Sequence, residues 1–338
     1  MNNRDNISIK DIARLCGVSV STVSRVLNNT GRYSEETERV VRDVIASMQY
    51  TPSPFAKALR TNSSPNIGII VPDITNEFFA SITLAIQKCL FEKSFMTLIC
   101  NTNEQPSLQE KQLKMLQSSK VSGIIFISGE DISKRELSDG IPKVFLDRLP
   151  RNAEEKHVVS VTVDNFQGGL AATEELLQSG CKRIAALFDG RGLSTQVDRY
   201  SGYLRAHQNR GLPVVHELYW PVNQISFQSG YETTMRYIKQ GIPFDGIFCY
   251  TDQLACGAVH ALIEAGISIP KDVRVIGFDN ISASQYCTPT ISTIAQPVDE
   301  IGTLAVDLLL KLQNAEELEQ TKHVLPVKLI KRETTTID

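Results

Sequence analysis

Small hydroxyl side chains and one arginine are concentrated between residues 19 and 28 of this 338-residue chain. Their spacing places Val20, Ser21 and Arg25 on the outer side of a short helix. There Val20 can pack against a thymine methyl, Ser21 can hydrogen-bond a base or a phosphate, and Arg25 can donate two hydrogen bonds to guanine. Four neighbours suit phosphate contacts, which position a protein without recognising sequence: Ser19, Thr22, Ser24 and Asn28.

The surrounding pattern is that of a helix-turn-helix, a motif whose second helix enters the major groove of DNA. A first helix ends at Gly17 and a second begins after Ser19. The apolar residues expected to face inward on these two helices are Ile12, Leu15, Val23, Val26 and Leu27. A three-helix bundle with a solvated polar face would show the same spacing, so the pattern alone leaves both interpretations open.

Serine residues that can cap a helix precede each of the three helices predicted for this N-terminal head: Ser8, Ser19 and Ser34. Thr51–Pro54 then ends the head, because two prolines in three residues stop a helix. Phe55–Arg60 can form one more short helix with Pro54 at its first position. We therefore expect a three-helix head, the candidate DNA-binding domain, at 1–50, a short helix and linker at 51–65, and a core at 66–338.

The core alternates β-rich runs with amphipathic helical runs, which predicts parallel sheets of doubly wound type. The predicted strands are Ile67–Val71, Met96–Asn101, Gly123–Ile127, Val144–Leu146, Val159–Val163, Arg183–Phe188, Gly246–Tyr250 and Val273–Phe278. The predicted helices include Phe78–Lys93, Leu108–Ser118, Gly168–Gln178 and Leu254–Ala265. The core has more residues than one such sheet and its helices would need. We expect two α/β lobes, the first about 66–164 and 296–323, the second about 165–295 and 324–338.

Charge indicates the kind of partner that the head meets, and the motifs absent from the chain argue against other classes of function. Residues 1–62 carry a net charge of +3 while the other 276 carry −6, which suggests that a basic head meets a polyanion. Gly190–Gly192 is only a fragment of a dinucleotide loop, and no Walker sequence occurs. None of the five histidines has the HExxH or His/Cys spacing of a metal site: His157, His207, His216, His260 and His323. We expect no enzymatic activity, no cofactor and no metal.

The seven cysteines are odd in number and contain no CxxC pair, so we expect reduced, mostly buried thiols in a cytoplasmic protein. No apolar run approaches the roughly 20 residues of a membrane helix, and the N-terminus lacks the apolar region of a secretory signal. No membrane association is therefore expected.

Residues 9–28 closely resemble the opening of the lactose/galactose-repressor (LacI) family, whose recurring form is D-x-A-x-x-x-G-V-S-x-x-T-V-S-R-V-x-N. Every fixed position matches: Asp11, Ala13, Gly17, Val18, Ser19, Thr22, Val23, Ser24, Arg25, Val26 and Asn28. The similarity continues through Tyr50–Pro54 and the core to Lys331–Thr335, and so covers essentially the whole chain.

The resemblance implies that Pro54–Arg60 is the family's hinge helix, which folds when two subunits meet on DNA. Leu59 from each chain would then enter the minor groove and kink a central base step, since an apolar wedge unstacks bases. Ala56 would lie against the groove floor, and Lys57 and Arg60 would reach phosphates. An amphipathic linker helix resting on the core is the alternative. Ser53 stands where the family often has asparagine, and it can still cap the helix.

The resemblance also implies a core like that of periplasmic sugar-binding proteins, with a small-molecule effector between the lobes. After the first strand, Asn76 would bond a hydroxyl, and Phe78 and Phe79 would cover a sugar's CH face or a base. At least one of these phenylalanines is expected in the core instead. At the crossover between lobes, Asp164 would point into the cleft while Asn165 caps the next helix.

Further effector contacts are implied at Arg199, Thr251, Asp252 and Asp279. Two acids, an arginine and aromatic rings suit a polyol, because each carboxylate can accept from two hydroxyls while the arginine donates. Asp252 or Asn165 could instead be a helix cap. Specificity is expected in a loop and a segment that vary among relatives: Leu193, Ser194 and Thr195 in the loop, and Trp220 and Ile225 in the segment. Leu193 suggests no charged group on that side of the ligand.

The assembly implied by the family is a homodimer that binds a pseudo-palindromic double-stranded DNA operator, one head per half-site. The core lobes would form the permanent contact. The chain ends at Asp338 without an added heptad tail, so a dimer is expected rather than a tail-linked tetramer. Control by a protein co-regulator docked on the core, or by a non-sugar metabolite, is the alternative to a sugar effector.

Overall fold

The computed structural model describes residues 7–48, 50, 65–128, 132, 137–149 and 158–336. The chain divides into two compact units, Met1–Pro65 and Asn66–Asp338. The predicted hinge residues Ala56, Lys57, Leu59 and Arg60 lie outside the described residues, as does the side chain of Asn28.

The head contains three helices: α1 (Ile9–Cys16), α2 (Val20–Asn28) and α3 (Glu35–Ser47). Each begins after the predicted serine, whose side chain accepts a hydrogen bond from a backbone N–H three residues later. At Ser8 the Asp11 carboxylate bonds back to the backbone and completes a capping box. These caps satisfy amide groups that a helix start would otherwise leave without a partner.

The core of the head consists of Ile12, Ala13, Val23, Val26 and Val41, all buried. The prediction that Leu15 faces inward is wrong, because its side chain is 53% exposed. The inner face of α1 ends instead at the half-buried Cys16, and Val18 after the helix packs against the same core.

The first lobe is built on a parallel sheet with strand order β11-β5-β4-β3-β1-β2. Its strands are β1 (Asn66–Val71), β2 (Met96–Asn101), β3 (Gly123–Phe126), β4 (Lys143–Leu146), β5 (Val159–Val163) and β11 (Lys322–Leu325). Its described helices are α4 (Glu77–Glu92), α5 (Pro106–Ser118) and α11 (Val298–Gln313). Buried aliphatic residues of the sheet pack against α4 and α11 on one face and against α5 on the other.

The second lobe has a sheet of order β12-β10-β9-β8-β6-β7, parallel except that β12 runs antiparallel to β10. Its strands are β6 (Ile184–Asp189), β7 (Tyr219–Val222), β8 (Gly246–Cys249), β9 (Arg274–Asp279), β10 (Ser292–Ala295) and β12 (Lys328–Ile330). Its helices are α6 (Asn165–Gln178), α7 (Ser194–Asn209), α8 (Phe227–Lys239), α9 (Asp252–Glu264) and the short α10 (Ser282–Tyr286).

The chain passes between the lobes three times: after β5, after β10, and between β11 and β12. The last passage lies after Leu325, two residues beyond the boundary drawn from the sequence. Because both sheets are parallel apart from β12, their carboxyl ends gather the loops that follow each strand, and ligands of doubly wound folds bind at such ends.

Candidate functional site

The outer face of α2 carries the residues expected to contact bases. Val20, Ser21 and Arg25 are exposed, while Val23 and Val26 on the opposite side are fully buried. The helix is therefore fixed by its apolar face and leaves a polar face free for contact.

The start of α2 is a compact group of hydroxyls. Ser19 Oγ accepts from the Thr22 amide at 3.1 Å and lies 2.7 Å from Ser21 Oγ and 2.9 Å from Thr22 Oγ1. Ser19 is exposed, and Thr22 and Ser24 are partly exposed. A helix N-terminus that carries several exposed or partly exposed hydroxyls suits an anion such as a phosphate group.

In the core, Arg199 of α7 is the centre of a buried polar cluster. Its Nε donates to Asn165 Oδ1 at 2.8 Å, another guanidinium nitrogen donates to the Tyr250 carbonyl, and the group lies 3.5 Å from the centre of the Phe278 ring. Asp279 Oδ1 is 3.7 Å from its third nitrogen. Burial lowers the pKa of Arg199, and the neighbouring Asp279 opposes that shift.

Asp279 ends β9 with a φ of 109°, and the following Asn280 has a φ of 58°. Two successive non-glycine residues in this region are strained, and such strain persists only where the surroundings hold it. Gln296 donates to Asp279 Oδ1 at 2.8 Å, and Arg332 donates to Asn280 Oδ1 at 2.6 Å. Burial raises the pKa of Asp279 to about 7, although Arg199 and Gln296 act in the opposite direction.

Thr251 and Asp252 hold secondary-structure elements of the second lobe in place through their own hydrogen bonds. Thr251 caps α9. Asp252 is fully buried and accepts from the Ile281 amide at 2.9 Å and from Thr293 Oγ1 at 2.6 Å. Burial, with a further contribution from Asp279, raises the pKa of Asp252 well above its usual value. Asp252 thus holds the turn that carries Asp279, and its own carboxylate is already occupied.

Phe78 and Phe79 both lie in the core of the first lobe, 4% and 5% exposed, with ring centres 5.5 Å apart. Asn76 Oδ1 caps α4 by accepting from the Phe78 amide at 3.0 Å. Phe79 still approaches the cleft, because the guanidinium of Arg148 lies 5.7 Å from its ring centre.

A second charged cluster, which we call the interlobe bridge, consists of Glu104, Arg148, Asp189 and Arg191. Glu104 of the first lobe accepts from Arg148 at 2.8 Å and from Arg191 of the second lobe at 2.5 Å. Arg191 also binds the buried Asp189 carboxylate at 2.5 Å. Burial disfavours the Glu104 carboxylate, but hydrogen bonds from Arg191 and Arg148 hold its pKa below the usual value.

A cavity of about 70 Å³ adjoins the interlobe bridge. Three of the charged bridge residues line it together with Leu193 and residues of the first lobe.

Comparison with known proteins gives the family. Residues 8–53 match the model described as bacterial regulatory proteins, lacI family, and residues 173–335 match the periplasmic binding protein-like domain. The HTH-type transcriptional regulator RegA of Clostridium saccharobutylicum is 34% identical over 331 residues, which cover 97% of this chain and 99% of the relative. The chain belongs to the lacI family of bacterial regulatory proteins. It is a transcriptional regulator and not an enzyme.

Solved structures of lacI-family proteins have the same fold. The lac repressor dimer bound to operator and the anti-inducer ONPF matches with a TM-score of 0.87 and 25% identity, covering 98% of this chain and 100% of that one. A lacI-family regulator from Enterococcus faecium with bound ribose matches with a TM-score of 0.72 and 32% identity, covering 80% and 98%. These matches confirm the predicted helix-turn-helix head and the two-lobed α/β core.

At the lobe crossover of this lacI-family chain, the helix cap lies one residue earlier than predicted. Asp164 is the helix cap, since its Oδ1 accepts from the Gln167 amide at 2.9 Å. Asn165 is buried, donates to the Val163 carbonyl at 3.2 Å, and orients Arg199. The prediction was wrong because α6 begins three residues earlier than its apolar pattern indicated.

The residues expected to vary among lacI-family relatives divide between cleft and core. Leu193 precedes α7 and lines the cavity, and Thr195 is buried in the first turn of that helix. Ile225 is half-buried against the core of the second lobe. Trp220 is fully buried and stacks on Tyr237 with ring centres 4.4 Å apart, so it is a core residue.

The interlobe bridge is the part of this lacI-family cleft that sequence reasoning missed. Glu104, Arg148 and Arg191 each lie two or three residues beyond the end of a predicted strand. Charged residues at that distance from strand ends were a usable signal, because the carboxyl ends of parallel strands converge. Leu193 alone had suggested an uncharged side of the cleft, but Arg191, two residues away, is charged and lines the same cavity.

No helix in the described part of the chain has the length and apolar character needed to span a membrane.

Proposed function

We propose that this lacI-family regulator is a repressor that binds a pseudo-palindromic operator as a dimer and responds to a polyol bound between its lobes. The observation that carries the DNA-binding half is the face of α2, with Val20, Ser21 and Arg25 exposed above a fully buried apolar side. A helix presented in this way fits the major groove, with N-terminal residues at base edges.

The arrangement around Arg199 supports a polyol effector. Asp279 and Arg199 lie together at the carboxyl end of β9, where one group can accept hydroxyls and the other can donate. The Enterococcus faecium relative contains ribose, which agrees with this chemistry. Four predicted effector contacts instead support the pocket wall in this proposal, because their polar groups or rings already contact other parts of the protein: Asn76, Phe78, Phe79 and Asp252.

An exposed apolar edge of the first lobe supports a homodimer. The strand β2 is the last in its sheet, and its Met96 and Ile99 are exposed. The flanking helices add exposed Leu84, Phe91 and Met115. Edge strands of this kind are normally covered, and the lac repressor that this chain resembles was solved as a dimer on its operator. We assign the cover to a second copy of this chain.

The hinge belongs to the same proposal. Ala56, Lys57, Leu59 and Arg60 match the family pattern in sequence and lie outside the described residues. In the proposed mechanism the effector shifts the relation between lobes and so changes whether two hinges can pair on DNA. If the effector lowers the affinity of the protein for the operator, the operator must lower the affinity of the protein for the effector by the same factor.

Selection of bound duplexes from a random-sequence pool tests the DNA-binding half, because the protein itself then chooses its operator. We expect the selection to enrich a pseudo-palindromic sequence. Sedimentation of the protein with this duplex should then show one dimer bound to the two half-sites. Recovery of unrelated sequences, or binding by a monomer to one half-site, would overturn the proposal. The same selection with the Arg25→Ala variant is the comparison, and we expect it to enrich a motif with weaker base preferences.

A further inference from the structure

Two cysteine side chains face each other in the second lobe. Cys256 lies on α9 and Cys287 directly follows α10, and their sulfur atoms are 3.3 Å apart. Cys256 is buried and Cys287 is partly exposed. The expectation that the thiols are mostly buried is wrong, because Cys16, Cys89, Cys100 and Cys287 are only half-buried.

We propose that Cys256 and Cys287 are a peroxide-sensitive dithiol, which a hydroperoxide converts to an intramolecular disulfide and a thiol reductant restores. The separation of the sulfurs means that small side-chain rotations bring them to bonding distance. Because Cys287 is partly exposed, the oxidant can reach its sulfur, while the sulfur of the buried Cys256 lies next to it. The proposal does not depend on the identity of the operator or of the effector.

The ionisation of the pair favours attack by Cys287. The hydrogen bond between the two sulfur atoms lowers the pKa of Cys287 to about 7, although partial burial opposes the shift. The same hydrogen bond, with burial, raises the pKa of Cys256. Since the thiolate is the nucleophile toward peroxides, Cys287 reacts first and Cys256 acts as the resolving thiol.

The reaction balances with one peroxide and two thiols. The Cys287 thiolate attacks one oxygen of hydrogen peroxide, the O–O bond breaks, and hydroxide leaves and is protonated to water. Cys287 is now a sulfenic acid, oxidised by two electrons. The Cys256 sulfur then loses its proton and attacks the Cys287 sulfur. The S–O bond breaks, a second water leaves, and the disulfide forms. A thiol reductant reverses the product through a mixed disulfide.

The disulfide would tie α10 to α9 at a second point. One link already exists, because the Asp252 carboxylate on α9 accepts from the amide of Ile281, just before α10. The next amide, that of Ser282, donates to Glu77 of the first lobe at 2.6 Å. Oxidation therefore fixes a short helix that contacts both lobes, beside the strained Asp279–Asn280 turn.

Peptide mapping of the full-length protein tests the proposal. The reduced protein is exposed to a few equivalents of hydrogen peroxide, free thiols are alkylated, and digests are analysed by mass spectrometry. We expect a cross-linked Cys256–Cys287 peptide, a loss of two alkylation sites from the seven cysteines, and recovery of both with dithiothreitol. Amide exchange of residues 281–287 should slow severalfold in the oxidised form.

Other oxidation patterns would overturn it: disulfides between chains on a non-reducing gel, a bond from the buried Cys249 to Cys256, or faster oxidation of Cys16 or Cys100. Cys256→Ser should leave Cys287 as a sulfenic acid that a diketone probe traps, and Cys287→Ser should leave Cys256 reduced. Cys100→Ser, at another half-buried cysteine, is the matched control and should retain the cross-link. Because the wild-type mapping needs no variant, the proposal stays testable if a variant folds poorly.

Discussion

At the scale of the residue, Asp279 is nearly fully buried and has a left-handed backbone conformation. Its burial raises its pKa to about 7. An unfolded aspartate ionises near 3.8. Between these values the folded protein keeps a proton that the unfolded chain has lost, so this residue makes the protein less stable as pH rises, with no further loss above about pH 7.

The stability advantage of wild type over Asp279→Asn should therefore fall, by roughly 2 kcal/mol, between about pH 5 and about pH 8. Thermal unfolding of both proteins across this range measures the difference. The control is Asp299→Asn, which makes the same substitution at an exposed aspartate and is measured over the same pH range. A constant gap between wild type and Asp279→Asn would show that Asp279 is ionised throughout.

Arg25 is the residue on α2 with the clearest expected readout. Arg25→Ala should cost about 1–3 kcal/mol of operator affinity and relax the preference at one base pair, because a two-bond guanine contact is lost. Binding measured on the selected operator and its single-base variants tests this. Arg14→Ala is the control, since Arg14 is exposed on α1 and pairs with Asp11 at 3.1 Å. An equal loss on every sequence would make Arg25 a phosphate contact.

Single residues were predicted well where their role is local and poorly where it depends on distant partners. Ser8, Ser19 and Ser34 were identified as caps from the sequence, because a cap acts within three residues. Whether Asp252 faces the cleft depends on Thr293, 41 residues away, to which it is bonded. No local pattern contains that information.

At the scale of the element, α6 and α7 approach so closely that glycine is required between them. A Cβ on Gly202 would lie 2.2 Å from the Phe166 carbonyl oxygen, and one on Gly169 would lie 2.1 Å from that of Arg199. Both obstacles are backbone atoms, which cannot turn aside. This packing fixes α7, and with it Arg199, against the start of α6, where Asn165 receives the guanidinium.

Gly202→Ala should destabilise the core by about 1–3 kcal/mol, as overpacked positions do. Chemical denaturation followed by circular dichroism measures the loss. Gln208→Ala, on the exposed side of the same helix, is the control and should change stability by less than about 0.5 kcal/mol. If Gly202→Ala were as stable as the control, the helices would have room to separate and the close approach would not fix Arg199.

The elements themselves were largely predictable. Each predicted strand is present with ends shifted by at most one residue, because buried parallel strands are short apolar runs. The strands not predicted include β10, with sequence Ser-Thr-Ile-Ala, and the sheet-edge strands β7, β11 and β12. β11 and β12 contain charged residues that weaken their apolar pattern, and Pro221 interrupts the pattern of β7.

At the scale of the whole molecule, the interlobe bridge joins the two lobes across the cleft. Arg191→Gln should loosen this closure, because Glu104 keeps Arg148 but loses its link to the second lobe. Amide exchange in the cleft loops should speed up roughly 3- to 10-fold, which corresponds to about 1 kcal/mol for a partly exposed pair. The exposed Arg210 gives the control variant Arg210→Gln. Unchanged exchange in Arg191→Gln would show that other contacts hold the lobes.

The central claim is that one chain couples operator binding to a polyol in the cleft. Fluorescence anisotropy of the labelled selected operator, titrated with sugars, sugar phosphates and nucleobases, tests it most directly. The account predicts that one polyol changes operator affinity in wild type and fails to do so in Asp279→Ala, which still binds DNA. Operator binding that no compound alters, or a response retained in Asp279→Ala, would contradict it.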